Sequence, residues 1–148
     1  MPDRNPSPTN DTSSLTAKIQ EKRNDSMTVI ETTKAPGAIG PYSQGFIVNG
    51  FVYTSGQIGV DPATGAAPEG IEAQAHMSCK NVGAVLEAGG ADFSKVFKTT
   101  CFLADMADFA TFNAVYEQYF VSKPARSCVA VKTLPKGLLC EIEAIAEK

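Results

Sequence analysis

The sequence has no tryptophan and a single histidine, His76. One imidazole leaves a zinc site of the usual Cys/His kind without its ligands. The four cysteines, Cys79, Cys101, Cys128 and Cys140, include no Cys-x-x-Cys pair. With no signal peptide ahead of them, they suggest reduced thiols in an intracellular, cytoplasmic protein. No apolar run approaches the roughly 20 residues of a membrane span. Basic patches are missing too: the formal net charge is -3 and the pI about 5.1, so the overall field does not favour phosphate backbones. The expectation is chemistry with no metal and no cofactor.

What is present fits one domain with a sizeable core, since 148 residues with 43% hydrophobic and 20% charged side chains are typical of a single globular unit. Residues 1–26 are rich in Pro, Ser, Thr, Asn and Asp and have almost nothing large and apolar to bury, so they read as a disordered tail. A mitochondrial transit peptide is Arg-rich and acid-poor, whereas this stretch contains Asp3, Asp11, Glu21 and Asp25. Mitochondrial import is therefore kept only as the alternative to a cytoplasmic location. Met27 is either a second start or the beginning of the folded domain, 27–148.

From Met27 the pattern changes. MTVIETT favours a strand, and APGAIGPYSQG (35–45) a shaped loop. GFIVNG and FVYTSGQIGV are two apolar runs joined at Asn49-Gly50, a tight hairpin signal, and Asp61 to Gly65 form a closing turn. Ile71, Ala75, Cys79, Val82, Leu86 and Gly89 recur at helical spacing, with Gly89-Gly90 as a stop. VFKTTCFLAD has strand composition, and Phe109, Phe112, Tyr116 and Tyr119 mark a second helix with Asp108 at its N-cap position. ARSCVAVKTL and LLCEIEAIAE complete the order as strands. About six strands with two helices on one face predict an α+β two-layer sandwich with a mixed sheet. In the last strands Arg126, Cys128 and Ala130 alternate against Ser127, Val129 and Val131, and Cys140, Ile142, Ala144 and Ala146 against Leu139, Glu141, Glu143 and Ile145. Neither face is plainly solvated, so the uncovered one is expected to pack on another subunit.

Of three arginines, Arg4 and Arg23 lie in the tail, which leaves Arg126 as the sole guanidinium of the domain. At a strand entrance it suits bidentate carboxylate recognition, because a planar fork offers two parallel hydrogen bonds that an ammonium cannot. The alternative is an ion pair with Glu141 or Glu143. Those two carboxylates share a strand face, where one could orient or deprotonate water, although strand carboxylates are commonly just solvated. Cys128 has no histidine in sequence company and reads as a packed thiol rather than a nucleophile. His76 reads as an exposed helix residue and Asn113 as a solvated amide. Tyr42 and Ser55 sit beside glycines in loops, where binding groups gather but turn chemistry also places such residues.

In this order and spacing, GPYSQG, TSGQI, PARSC and EIEAIA, together with QAHMSCKNVGAVLEAGG and VFKTTCFLADMADFATFNAVYEQYF, closely resemble the RidA/YjgF family across essentially all of 27–148. The resemblance implies a chorismate-mutase-like fold and a homotrimer with sheets packed around the three-fold axis and active sites between adjacent subunits. It further implies hydrolysis of small 2-imino acids such as 2-iminobutanoate and 2-iminopropanoate, tautomers of enamines, to 2-keto acids and ammonia. By that likeness Arg126 grips the substrate carboxylate and Glu141 positions the attacking water, while Tyr42, Ser55, Asn113 and Cys128 line the pocket. The connection Val121-Ser122-Lys123 is shorter than in some relatives, and the tail has no counterpart in the bare family domain.

Two other functions compete. Members of the family have been described as endoribonucleases or inhibitors of translation. However, residues 27–148 carry nine basic against twelve acidic side chains, and they lack the aromatic-basic interleaving that stacks single strands. A chaperone-like ligand-binding trimer would keep the cleft without turnover, a reading that Arg126 and Glu141 argue against.

Overall fold

Strand and helix periods follow one another in the structure as the apolar pattern predicts. It is a computed structural model describing residues 26–148, so the expected tail lies outside the described residues except for Ser26. The chain runs β1 (Met27–Ile30), β2 (Gly45–Val48), β3 (Phe51–Thr54), β4 (Gln57–Ile58), α1 (Ile71–Ala88), β5 (Val96–Leu103), α2 (Phe109–Tyr119), β6 (Ala125–Ala130) and β7 (Cys140–Glu147). One seven-stranded sheet has the order β1-β2-β3-β7-β5-β6, with β4 also paired to β7. Only β5 and β6 are parallel, and α2 is the crossover that such a pair requires. The fold class is the expected mixed-sheet α+β sandwich. Asn49 and Gly50 both have positive φ, 50° and 82°, the conformation of a two-residue hairpin turn that follows the strand twist.

Alternation along β7 sorts the molecule into layers. Cys140, Ile142, Ala144 and Ala146 are buried against α1, whose own buried stripe includes Ala75, Cys79, Val82 and Leu86. The buried stripe of α1 also carries polar groups with a purpose. Ser78 Oγ donates to the Gln57 carbonyl at 2.7 Å, and Asn81 Nδ2 donates to the carbonyls of Ile58 and Val60 at 3.0 and 2.8 Å. These side chains satisfy the backbone of β4, a strand of two residues that could not hold itself in place.

Three details differ from expectation. Asp108 makes no side-chain cap, because the helix is entered through a 3-10 turn over Met106–Asp108 whose N-cap is Asp105, accepting from Ala107 N at 2.9 Å. His76 is no free surface residue: its Nδ1 lies 2.7 Å from the Tyr119 hydroxyl and joins the two helices. FVYTSGQIGV is not one strand but two, interrupted at Ser55-Gly56.

Among the described residues nothing covers the other face of the sheet. Val29, Phe51, Tyr53, Phe97 and Val129 are each between 36% and 49% exposed there. A register shift between Val96 and Lys98 turns Phe97 to this side, where its ring meets Phe51 at 5.7 Å.

Candidate active site

Arg126 begins the edge strand β6, and its surroundings come from the first two turns of α2 and from β5. Its Nη1 donates to Asn113 Oδ1 at 2.8 Å. The guanidinium carbon lies 4.7 Å from the centroid of the Tyr116 ring and 5.6 Å from that of Phe109. A groove of about 700 Å³ opens here, bounded by Asn113, Glu117, Lys123 and Arg126. Cys128, two residues further on, shares this face and packs partly against the core. Burial pushes its thiol up and the Arg126 charge pulls it down, with burial the larger effect. The thiol therefore stays protonated, consistent with packing rather than nucleophilic attack.

Glu141 lies in a different cleft, of about 400 Å³, which it shares with Tyr42, Ser55 and Glu143. Backbone irregularity builds it. Tyr53 pairs with Ile145 but Gln57 with Ile142, so one extra residue is inserted around Ser55-Gly56, a β-bulge. The lost ladder bonds are replaced: Thr54 Oγ1 accepts from Ala144 N at 3.0 Å, Ser55 N donates to the Gln44 carbonyl at 2.8 Å, and Ser55 Oγ donates to the Ser43 carbonyl. At Gly56 a Cβ would run into the Glu141 carboxylate, so a side chain there would displace it. Burial first and the neighbouring Glu143 second push the Glu141 carboxyl above the ordinary carboxylate range. The result is a stronger base than a solvated glutamate, pressed against the bulge.

The loop over this cleft is anchored by Gln44, only 5% exposed. Its Nε2 donates to the Thr32 and Pro36 carbonyls at 3.0 and 2.8 Å, and its Oε1 accepts from Thr32 N at 2.7 Å. The Tyr42 hydroxyl accepts from Ile39 N at 3.2 Å across the same loop. Ile39, Ile58 and Pro135 supply an apolar wall opposite the carboxylates.

The six expected site residues are thus gathered as two groups: Arg126, Asn113 and Cys128 in one, Tyr42, Ser55 and Glu141 in the other. The register sets them on opposite faces. Thr99 of β5 lies beside both Arg126 and Ala144 on the helix side, whereas Phe102 lies beside both Val129 and Glu141 on the uncovered side. Within one chain Arg126 therefore cannot form the ion pair with Glu141 or Glu143 weighed as its alternative role, and Asn113 is a bonded partner rather than a solvated amide. Among the described residues no three His, Cys, Asp or Glu side chains gather closely enough to hold a metal ion.

Several contributors were not read from sequence. The helical pattern places Tyr116 on a helix face and the 35–45 segment places Gln44 in a loop, and neither assignment carries a partner for the side chain. The Gly56 contact depends on a bulge, which leaves no mark in an alternating apolar pattern.

The endoribonuclease L-PSP family model matches residues 32–148. The chain is 52% identical over 120 residues to the 2-iminobutanoate/2-iminopropanoate deaminase of Homo sapiens, a match covering 80% of this chain and 88% of that one. The protein of the same name from Salmonella typhimurium is 53% identical over 121 residues, covering 79% and 94%. Among solved structures, Escherichia coli TdcF with bound serine is similar with a TM-score of 0.79 at 48% identity, covering 82% of this chain and 98% of that chain.

Proposed function

The chain belongs to the RidA/YjgF family, whose model bears the L-PSP name, and from that membership we propose that it hydrolyses small 2-imino acids to 2-keto acids and ammonia. The observation that carries this reading is the division of labour between the two clefts. One holds a guanidinium with aromatic and amide support and the other a carboxylate of raised basicity beside an apolar wall.

The chemistry asks for little more. A protonated imine is already electrophilic at C2, so the enzyme's contribution is to hold the substrate and aim one water. Arg126 takes the substrate carboxylate through two parallel N–H bonds. Glu141, ionised, accepts a proton from the water as its oxygen bonds to C2. It then returns that proton to the nitrogen, and as the C–N bond breaks to release ammonia the carboxylate takes the proton of the C2 hydroxyl, leaving the carbonyl, and passes it on to solvent. Tyr42, Ser55, Asn113 and Cys128 line the pocket, with no covalent intermediate on the thiol.

Because the two groups face away from each other in one chain, the working site joins the Arg126 side of one subunit to the Glu141 side of the next. A homotrimer with its exposed apolar sheet faces packed together supplies both the junction and the missing cover. The cytoplasm is the compartment that suits four free thiols. The test couples the protein to a threonine dehydratase and follows 2-ketobutyrate and ammonia where free hydrolysis is slow. The expected outcome is release faster than with dehydratase alone, from a species sedimenting at three times the 15.6 kDa chain mass. Unchanged release rates would overturn the reading.

A further inference from the structure

We propose that Tyr116 is a positioning residue for carboxylate capture, a rigid aromatic seat that holds the Arg126 guanidinium in its binding orientation. The proposal rests on the assignment of Arg126 as the anchor given above. Three contacts define the seat. The Tyr116 ring stacks on Phe120 with centroids 4.3 Å apart and an 18° angle, so one face is fixed by the core. Its hydroxyl lies 2.7 Å from Thr99 Oγ1, and Thr99 is the residue directly beside Arg126 across the β5–β6 pairing. Its other face carries the guanidinium at 4.7 Å. Burial pushes the Tyr116 hydroxyl up to about 12, so this tether does not titrate at working pH.

The geometry has a functional consequence. A guanidinium stacked on a ring gives up its planar face and keeps its in-plane N–H groups free. Asn113 takes one of those donors, at Nη1, which leaves the rest of the fork for a carboxylate. Arginine has large rotamer freedom, and a side chain already ordered before the ligand arrives loses less of it on binding. Tyr116 thus acts on affinity through Arg126, without contacting the reacting atoms.

The experiment uses the full chain with Tyr116→Leu and Tyr116→Phe, and Tyr116→Met should the leucine variant not fold. The first readout is the Arg126 Nε–H resonance, distinguished from those of Arg4 and Arg23 by its loss in Arg126→Lys. Ring current shifts it upfield in the parent and in Tyr116→Phe, and the shift disappears with leucine or methionine. The second is 2-ketobutyrate affinity by calorimetry: about tenfold weaker in Tyr116→Leu and within about twofold in Tyr116→Phe, the range expected of a partly desolvated cation–π contact. In an Arg126→Lys background the leucine change adds less than about twofold, since its route is already gone. An equal loss in both backgrounds, or an unmoved resonance, would overturn the seat. A parent chain that shows the ring-current shift but binds no 2-keto acid would instead overturn the anchor assignment while supporting the seat.

Discussion

The groups that seat the Arg126 guanidinium come from regular structure: Asn113, Tyr116 and Phe109 from α2, with Thr99 beside it on the adjoining strand β5. Around Glu141 the neighbours come from interruptions of it, with Tyr42 on a loop hung from Gln44 and Ser55-Gly56 on a bulge. The contrast suits the role proposed for each group. A fork that captures a planar anion gains from rigid seating, because ordering it beforehand lowers the entropy lost on binding. A base that meets water needs a pocket, and a bulge opens one where a continuous ladder would fill it. On the proposed roles, binding and proton transfer are built on separate faces and are separable by mutation.

The largest separation is expected from Glu141→Gln, which keeps size and polarity but removes basicity. Turnover should fall by about 10²-fold or more with substrate affinity nearly unchanged, measured as kcat against KM in the coupled assay. Next comes Arg126→Lys, which keeps charge but loses the fork. It should cost about 1.5–3 kcal/mol, read chiefly in kcat/KM. If both variants lost kcat and KM alike, the division of labour would be wrong. A finer test is pH. Glu143 helps to raise the Glu141 carboxyl, and a base works only when deprotonated, so parent activity should fall on acidification through a pKa above the ordinary glutamate range. Removing the neighbouring charge in Glu143→Gln should move that acidic limb to lower pH. The smallest effect belongs to Cys128→Ala, expected to retain activity within a few-fold because the thiol is protonated and packed. A folded but inactive Cys128→Ala beside an active Glu141→Gln would point to thiol catalysis instead.

Much of this was legible beforehand, and the pattern of what was not is instructive. The hairpin at Asn49-Gly50, the α1 stripe and the β7 alternation follow from local chemistry and period, and each appears as expected. The six pocket residues came from motif likeness, and the structure sorts them onto two faces that no single motif could reveal. Register decides that, and register is a property of paired strands. The β3–β4 break is invisible in the apolar alternation, which continues past Ser55-Gly56 while side-chain bonds of Thr54 and Ser55 replace the ladder. His76 and Asn113 looked solvated because their partners, Tyr119 and Arg126, are 43 and 13 residues away.

In the proposed enzyme two half-sites on opposite faces of one sheet become one site only between subunits. Mixing inactive Arg126→Ala with inactive Glu141→Gln, followed by dissociation and joint reassembly, puts this to the test. At equal amounts and random assembly, about one junction in four pairs an intact Arg126 side with an intact Glu141 side, so roughly a quarter of parental deaminase activity should return. No recovery from trimers shown by mass spectrometry to contain both variants would contradict the account and place both groups in one chain's site.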